Sequence, residues 1–231
     1  TTTTTPELSP QQQAGYSSSW PGFSLEDFSF NCRTNLAPMN DSHVDNASVS
    51  VNAHTATIEN SCAATLVTET HLLTSMTCCS DIIGKFILFQ DGQQKRVVNT
   101  RVHDSGLCMI ELPDPVALSS EVYPICIDEG KNLFEGIPAF IHKETISRSI
   151  SSDFIAMPVG PGCHSSGGCF GFIETFDACE NMDPNRPGSA IIALHNIQTP
   201  KLLGVYEDGC PENGAFTSFI HTGPLIDWMQ E

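Results

Sequence analysis

The segment Cys163-His164-Ser165-Ser166-Gly167-Gly168-Cys169 crowds two kinds of nucleophile around a base. A thiolate beside an imidazole can form a nucleophilic pair. The partners in such a pair come from separate stretches of chain, however, because neighbouring residues rarely reach each other in the required geometry. Cys163 and Cys169 are therefore read as closing a short disulfide loop. The chain has ten cysteines and no repeated C-x-x-C spacing, which points to an oxidising compartment rather than to zinc. Its eight histidines include no H-x-x-x-H pair, so neither a metal nor a cofactor is expected. Asn40 in N-D-S and Asn46 in N-A-S are glycosylation sequons in a polar stretch. With 27 acids against 10 bases, the formal charge of −17 repels phosphate backbones, so no nucleic-acid partner is expected. No apolar run is long enough to cross a bilayer as a helix.

The scaffold that must hold these groups reads as all-β. Residues 1–28 are rich in Thr, Ser, Gln and Pro and poor in large apolar side chains, which describes a disordered, mobile tail. Residues 29–231 change to short apolar runs broken by Gly, Pro, Asn and Asp, the texture of an all-β domain, and the chain's 40% apolar content suffices for a core. The runs Cys62 to Val67 and His71 to Ser75 read as strands around a polar bend. Phe86 to Phe89 and Val97 to Val98 flank Q-D-G-Q-Q-K, where Asp91-Gly92 signals a hairpin. Leu107 to Leu112, Ala139 to His142, Ser189 to His195, Leu202 to Tyr206 and Ala215 to Ile220 are further strands. Leu225 to Glu231 forms a short terminal helix, with Pro224 early in its first turn.

Taken in order, several segments resemble those of the trypsin-like serine proteases. Cys62-Ala63-Ala64-Thr65-Leu66 followed by Leu72-Leu73-Thr74-Ser75-Met76-Thr77-Cys78 resembles C-G-G-S-L … V-L-T-A-A-H-C. Leu107 to Pro113 and Tyr123-Pro124-Ile125-Cys126-Ile127 resemble D-I-A-L-L-K-L and R-P-I-C-L. Asp177-Ala178-Cys179, then Pro187-Gly188-Ser189-Ala190-Ile191, resembles D-S-C-Q-G-D-S-G-G-P-L with an insertion. Leu203 to Tyr206, Gly209-Cys210, Gly214-Ala215-Phe216-Thr217 and Trp228-Met229 resemble the closing motifs. The divergence of these motifs is similar to that of secreted nematode relatives of trypsin. The resemblance implies two packed six-stranded antiparallel β-barrels with a cleft between them. It also implies the disulfides Cys62–Cys78, Cys179–Cys210 and Cys32–Cys126, leaving Cys79 to pair with Cys108 and Cys163 with Cys169.

That family attacks a carbonyl with a serine, deprotonated by a histidine that an aspartate orients. By the resemblance the histidine position holds Thr77, which is no base near neutral pH. The aspartate position holds Gly106 in an ungapped match; Asp104 would take it only if the strand entry shifted by two residues. The serine position is Pro187 when aligned from the strand side and Asp183 when aligned from Cys179. Proline supplies no nucleophile and removes an N–H where the family builds its oxyanion hole. Asp177 matches the aspartate at the base of the family's specificity pocket, with Tyr206 and Glu207 at the facing rim and Gly214 beyond it. The expectation is therefore a secreted, catalytically degenerate relative that is not an enzyme and acts by binding an extracellular protein, either a ligand or a protease or inhibitor for which it is a decoy. The alternatives are a structural matrix component and a peptidase with rearranged catalytic residues.

Overall fold

The computed structural model describes residues 53–58, 62–119, 121–129, 139–141, 162–163, 169–174, 187–193, 201–207 and 216–231. Residues 1–28, the sequons at Asn40 and Asn46, Cys32, Asp177, Cys179, Asp183, Cys210 and Gly214 lie outside them. Among the described residues the regular structure is mostly strand. The first sheet contains β1 (Thr55–Ile58), β2 (Cys62–Leu66), β3 (His71–Ser75), β4 (Phe86–Phe89), β5 (Gln94–Arg96), β6 (Asn99–Val102) and β7 (Leu107–Glu111), in the order β5-β4-β1-β2-β3-β7-β6. The second contains β8 (Cys126–Ile127), β9 (Ala139–Ile141), β10 (Gly162–Cys163), β11 (Cys169–Glu174), β12 (Ala190–Ala193), β13 (Lys201–Tyr206) and β14 (Phe216–His221). Six of these follow the order β10-β11-β14-β13-β12-β9, and β8 pairs in parallel with β13.

Each sheet has seven labelled strands, yet the first is a six-stranded arrangement. Residues 94–102 run as one extended stretch broken only at Val97-Val98. Val97 bonds back toward β4, its N–H reaching the Lys85 carbonyl (2.9 Å) while its carbonyl accepts from Gly84 (2.9 Å). The next residue, Val98, donates to the Glu111 carbonyl at the end of β7 (3.1 Å). The stretch thus pairs with β4 at one end and β7 at the other, which closes the sheet and removes its free edges. The turn before it is tighter than Q-D-G-Q-Q-K suggested: Gly92 turns with φ +87, and β5 has already begun at Gln94.

The core follows from the two-residue period of strands. Along β3 and β7, Leu72, Cys108 and Ile110 face the interior of the first sheet with Ile58, Leu66 and Ile87. Their neighbours Leu73, Leu107 and Met109 point the opposite way, into a second cluster with Ala190, Ile192, Leu202, Val205 and Ile220. Both faces of these two strands are therefore buried, and the second cluster joins the two sheets.

The C-terminal segment seals the same cluster. Pro224 opens a 3-10 turn over Gly223–Leu225 that passes into helix α1 (Ile226–Gln230), and Leu225 and Met229 enter the shared core. Arg101 on β6 lies over the Trp228 ring, 4.4 Å from its centroid, and also donates to the Trp228 carbonyl. The helix of the second sheet is thereby held against the first. Replacing Leu73 by Ala should leave a cavity where the sheets meet and lower the unfolding free energy by about 2–5 kcal/mol, measured by urea titration. A loss within experimental error would mean that the two-sided packing of β3 is not a source of stability.

Candidate functional site

At the end of β3 the chain turns sharply. Ser75 caps the 3-10 turn Met76–Cys78, its hydroxyl accepting from the Thr77 N–H (3.2 Å) and pairing with the Thr77 hydroxyl (2.7 Å). Two adjacent cysteines anchor this turn. Cys78 is bridged to Cys62 on β2 (Cα–Cα 5.8 Å), and Cys79 to Cys108 on β7 (Cα–Cα 6.4 Å), as expected. Cys126 is also disulfide-bonded. Cys163 and Cys169 stand directly opposite one another across β10 and β11.

Two further backbone segments converge on the turn. The Met76 N–H donates to the Gly106 carbonyl at 2.7 Å. The Pro187 carbonyl accepts from the Ala63 N–H at 2.9 Å and lies 3.3 Å from the Cys78 sulfur. That sulfur is committed to its disulfide and has no proton, so the second approach is a packing contact. Thr77, Gly106 and Pro187, far apart in sequence, are thus brought to one place where the two sheets meet.

The close approach requires glycine at position 188. Gly188 has φ +88, and a Cβ there would overlap the Ala63 carbonyl oxygen and the Thr74 hydroxyl. Its N–H donates to the Tyr206 carbonyl (2.9 Å), while the Tyr206 N–H donates to the Ser189 carbonyl (2.9 Å). Ser189 itself is buried. Gly106 also has φ +89, and a Cβ there would sit 3.0 Å from Oε1 of Glu207. The Glu207 carboxylate therefore leans from the second sheet onto the place where a side chain at 106 would begin. Sequence reasoning put Glu207 on the rim opposite Asp177 and missed this contact. A glycine in the aspartate position was its only signal. Tyr206 is buried.

Among the described residues, no hydrogen bond joins a histidine to Thr77, whose partner is Ser75. His71 lies at the opposite end of β3, about 13 Å from Ser75 at strand rise. Its Nδ1 meets the hydroxyls of Thr68 (3.0 Å) and Thr70 (2.8 Å), and burial pushes its pKa down from 6.5 to about 4. His103 and Ser105 form a pair that sequence reasoning did not single out, with Nδ1 and Oγ 2.9 Å apart. That Nδ1 also accepts the Ser105 N–H at 3.0 Å, so its lone pair is occupied in holding the turn that leads to Gly106. His54 is buried against Tyr123, and His221 is buried on β14. Among the described residues, no group of three or more His, Cys, Asp or Glu side chains could hold a metal ion.

Two β-sheets sharing a core, a disulfide-anchored turn at their junction and a closing C-terminal helix make up the trypsin-like serine protease fold. Solved structures of that class are similar along most of their length. Kallikrein-related peptidase 10 in complex with Zn2+ aligns with TM-score 0.59 at 15% identity, over 78% of this chain and 94% of that chain. A second structure of kallikrein-related peptidase 10 aligns with TM-score 0.58 at 16% identity, over 77% and 93%. Neuropsin, a serine protease expressed in the limbic system of mouse brain, aligns with TM-score 0.56 at 12% identity, over 78% and 94%. No protein-family model matches the chain, and no curated protein does.

Two outcomes follow from the site's packing. Gly188→Ala combines a positive φ with overlap against backbone, and should cost at least about 3 kcal/mol or prevent folding; thermal unfolding near that of the unaltered protein would contradict the close approach. His71 is neutral in the native state, while an unfolded histidine protonates near pH 6.5. Stability from the buried neutral ring is therefore complete above about pH 6.5 and falls as the pH drops toward 4, by up to about 3 kcal/mol. His71→Gln should show a smaller loss between pH 7 and pH 4.5 in parallel urea titrations. Equal losses would show that other groups carry the acid sensitivity.

Proposed function

We propose that this chain is a secreted protein of trypsin-like fold that binds another protein and has no peptidase activity. The observation that carries this reading is the convergence of Thr77, Gly106 and Pro187 at the junction of the two sheets. Acyl transfer at this place would need an oxygen nucleophile, an imidazole and a carboxylate to orient it. The side chains at the three positions are a threonine hydroxyl paired with Ser75, a hydrogen atom and a pyrrolidine ring. Pro187 also brings no N–H to an oxyanion hole. The disulfides support export to an oxidising compartment, and no described helix is long and apolar enough to cross a membrane.

Contaminant-free protein should give no peptidase turnover and no labelling by a fluorophosphonate. Stoichiometric labelling mapped to one serine would overturn the reading. Pro187→Ser, alone or with Thr77→His, should remain silent, because triad members act as a unit and Gly106 still supplies no carboxylate. Turnover appearing in the double variant would mean that the rest of the machinery is intact.

A further inference from the structure

Two disulfides tie the same turn to strands on either side of it, and they are not equally protected. Cys108 is fully buried on β7, which has β3 on one side and β6 on the other, and its partner Cys79 is 9% exposed. Cys62 is the first residue of β2, opposite the last residue of β1, and is partly exposed, while its partner Cys78 is 3% exposed. Thiol–disulfide exchange depends on which sulfur an attacking thiolate can reach. The Cys62–Cys78 bridge offers an approach through Cys62, whereas both residues of the Cys79–Cys108 bridge are buried.

Opening the first bridge leaves the turn anchored. Cys79–Cys108 still holds it to β7, the Cys79 N–H donates to the Met76 carbonyl (3.0 Å), and the Met76 N–H donates to the Gly106 carbonyl (2.7 Å). Cys78 also has a second neighbour already in place, the Pro187 carbonyl oxygen, 3.3 Å from its sulfur. In the oxidised protein neither of these two atoms carries a proton. A thiol at Cys78 would bring an S–H within reach of that oxygen, and S–H is a weak donor. The sulfur would thereby exchange a covalent tie inside the first sheet for a hydrogen bond to the segment that leads into β12.

We propose that Cys62–Cys78 is a redox-sensitive bridge at the sheet junction, opened by an external thiol while the fold is kept. A thiolate attacks the Cys62 sulfur, and Cys78 leaves and takes a proton from water. A second thiolate attacks the external sulfur of the mixed disulfide, and Cys62 leaves and is protonated in the same way. The protein gains two electrons and two protons, and the two external thiols end as a disulfide. Opening frees the end of β2 from the turn that carries Thr77, so the state of the bridge alters the junction itself. The inference concerns sulfur chemistry alone and goes beyond the binding role proposed above without depending on it.

The unaltered protein is treated with reduced glutathione at mildly alkaline pH and quenched at intervals with N-ethylmaleimide. Cys62, Cys78, Cys79 and Cys108 are then mapped by mass spectrometry, with near-ultraviolet circular dichroism in parallel. Cys62 and Cys78 should be labelled at least about tenfold faster than Cys79 and Cys108, with glutathione trapped transiently on Cys62 and the dichroism retained. Labelling of all four cysteines together, labelling of Cys79 and Cys108 first, protection of all four, or labelling only as the dichroism collapses would each overturn the proposal. Cys62→Ala leaves Cys78 with a thiol and reads the reduced state directly. Its S–H stretching band in the infrared should lie below that of the same variant unfolded in urea. A band that does not move on unfolding would overturn the bond to Pro187, and a variant that does not fold would overturn the claim that the open form keeps its structure.

Discussion

Strands β3 and β7 bury both of their faces, and the rest of the architecture depends on that. A strand in a half-solvated sheet needs only alternate residues to be apolar. Here Leu72 and Ile110 fill one core while Leu73, Leu107 and Met109 fill another, and the polar residues of β3, His71, Thr74 and Ser75, are buried with them. The same pair of strands carries the turn at Met76–Cys78 and the turn at Gly106, one at the end of β3 and the other at the start of β7. Fixing the strands from both sides fixes the junction between the sheets, and the bridges Cys62–Cys78 and Cys79–Cys108 hold the turn to its two neighbouring strands.

This double burial explains which parts of the fold could be read from the sequence. The runs at Cys62, Leu107 and Leu202 are continuously apolar or nearly so, and they and the run at His71 matched observed strands to within a residue or two. Strands β6 and β1 carried no comparable signal. β6 is Asn99-Thr100-Arg101-Val102, partly exposed throughout, and it is held by backbone pairing with β7 and by the Arg101 contact with Trp228 rather than by an apolar stripe. β1, Thr55-Ala56-Thr57-Ile58, is buried but built of small residues. Val97-Val98 looked like a strand and instead forms the link at which the extended stretch changes partners, one valine bonding toward β4 and the next toward β7.

At the candidate site, the resemblance assigned Thr77 and Gly106 from chain order and cysteine spacing, because the disulfide and the strand limit where each position can fall. The place of the third position was ambiguous, since an insertion separates Cys179 from the strand that follows. The hydrogen bond from Ala63 to the Pro187 carbonyl puts Pro187 at the junction with Thr77 and Gly106, while Asp183 lies outside the described residues. The position of the Glu207 carboxylate over Gly106 could not have been read from the sequence. It depends on a side chain from one sheet crossing to a vacant Cβ position on the other, and neither residue alone announces that.

The fold also uses the three convergent positions in a particular way. Pro187 contributes its carbonyl to Ala63, Gly106 contributes its carbonyl to Met76, and Thr77 contributes its N–H to Ser75. In each case a main-chain atom does the joining, and main-chain atoms are common to nearly every residue type. Packing is demanding instead at Gly188, where any Cβ would strike the Ala63 carbonyl and the Thr74 hydroxyl. Chemistry and architecture at this junction therefore constrain different atoms. A chain can replace the side chains at 77 and 187 and still close the two sheets on one another, provided that it keeps the glycines at 106 and 188, the disulfides and the buried strands beside them.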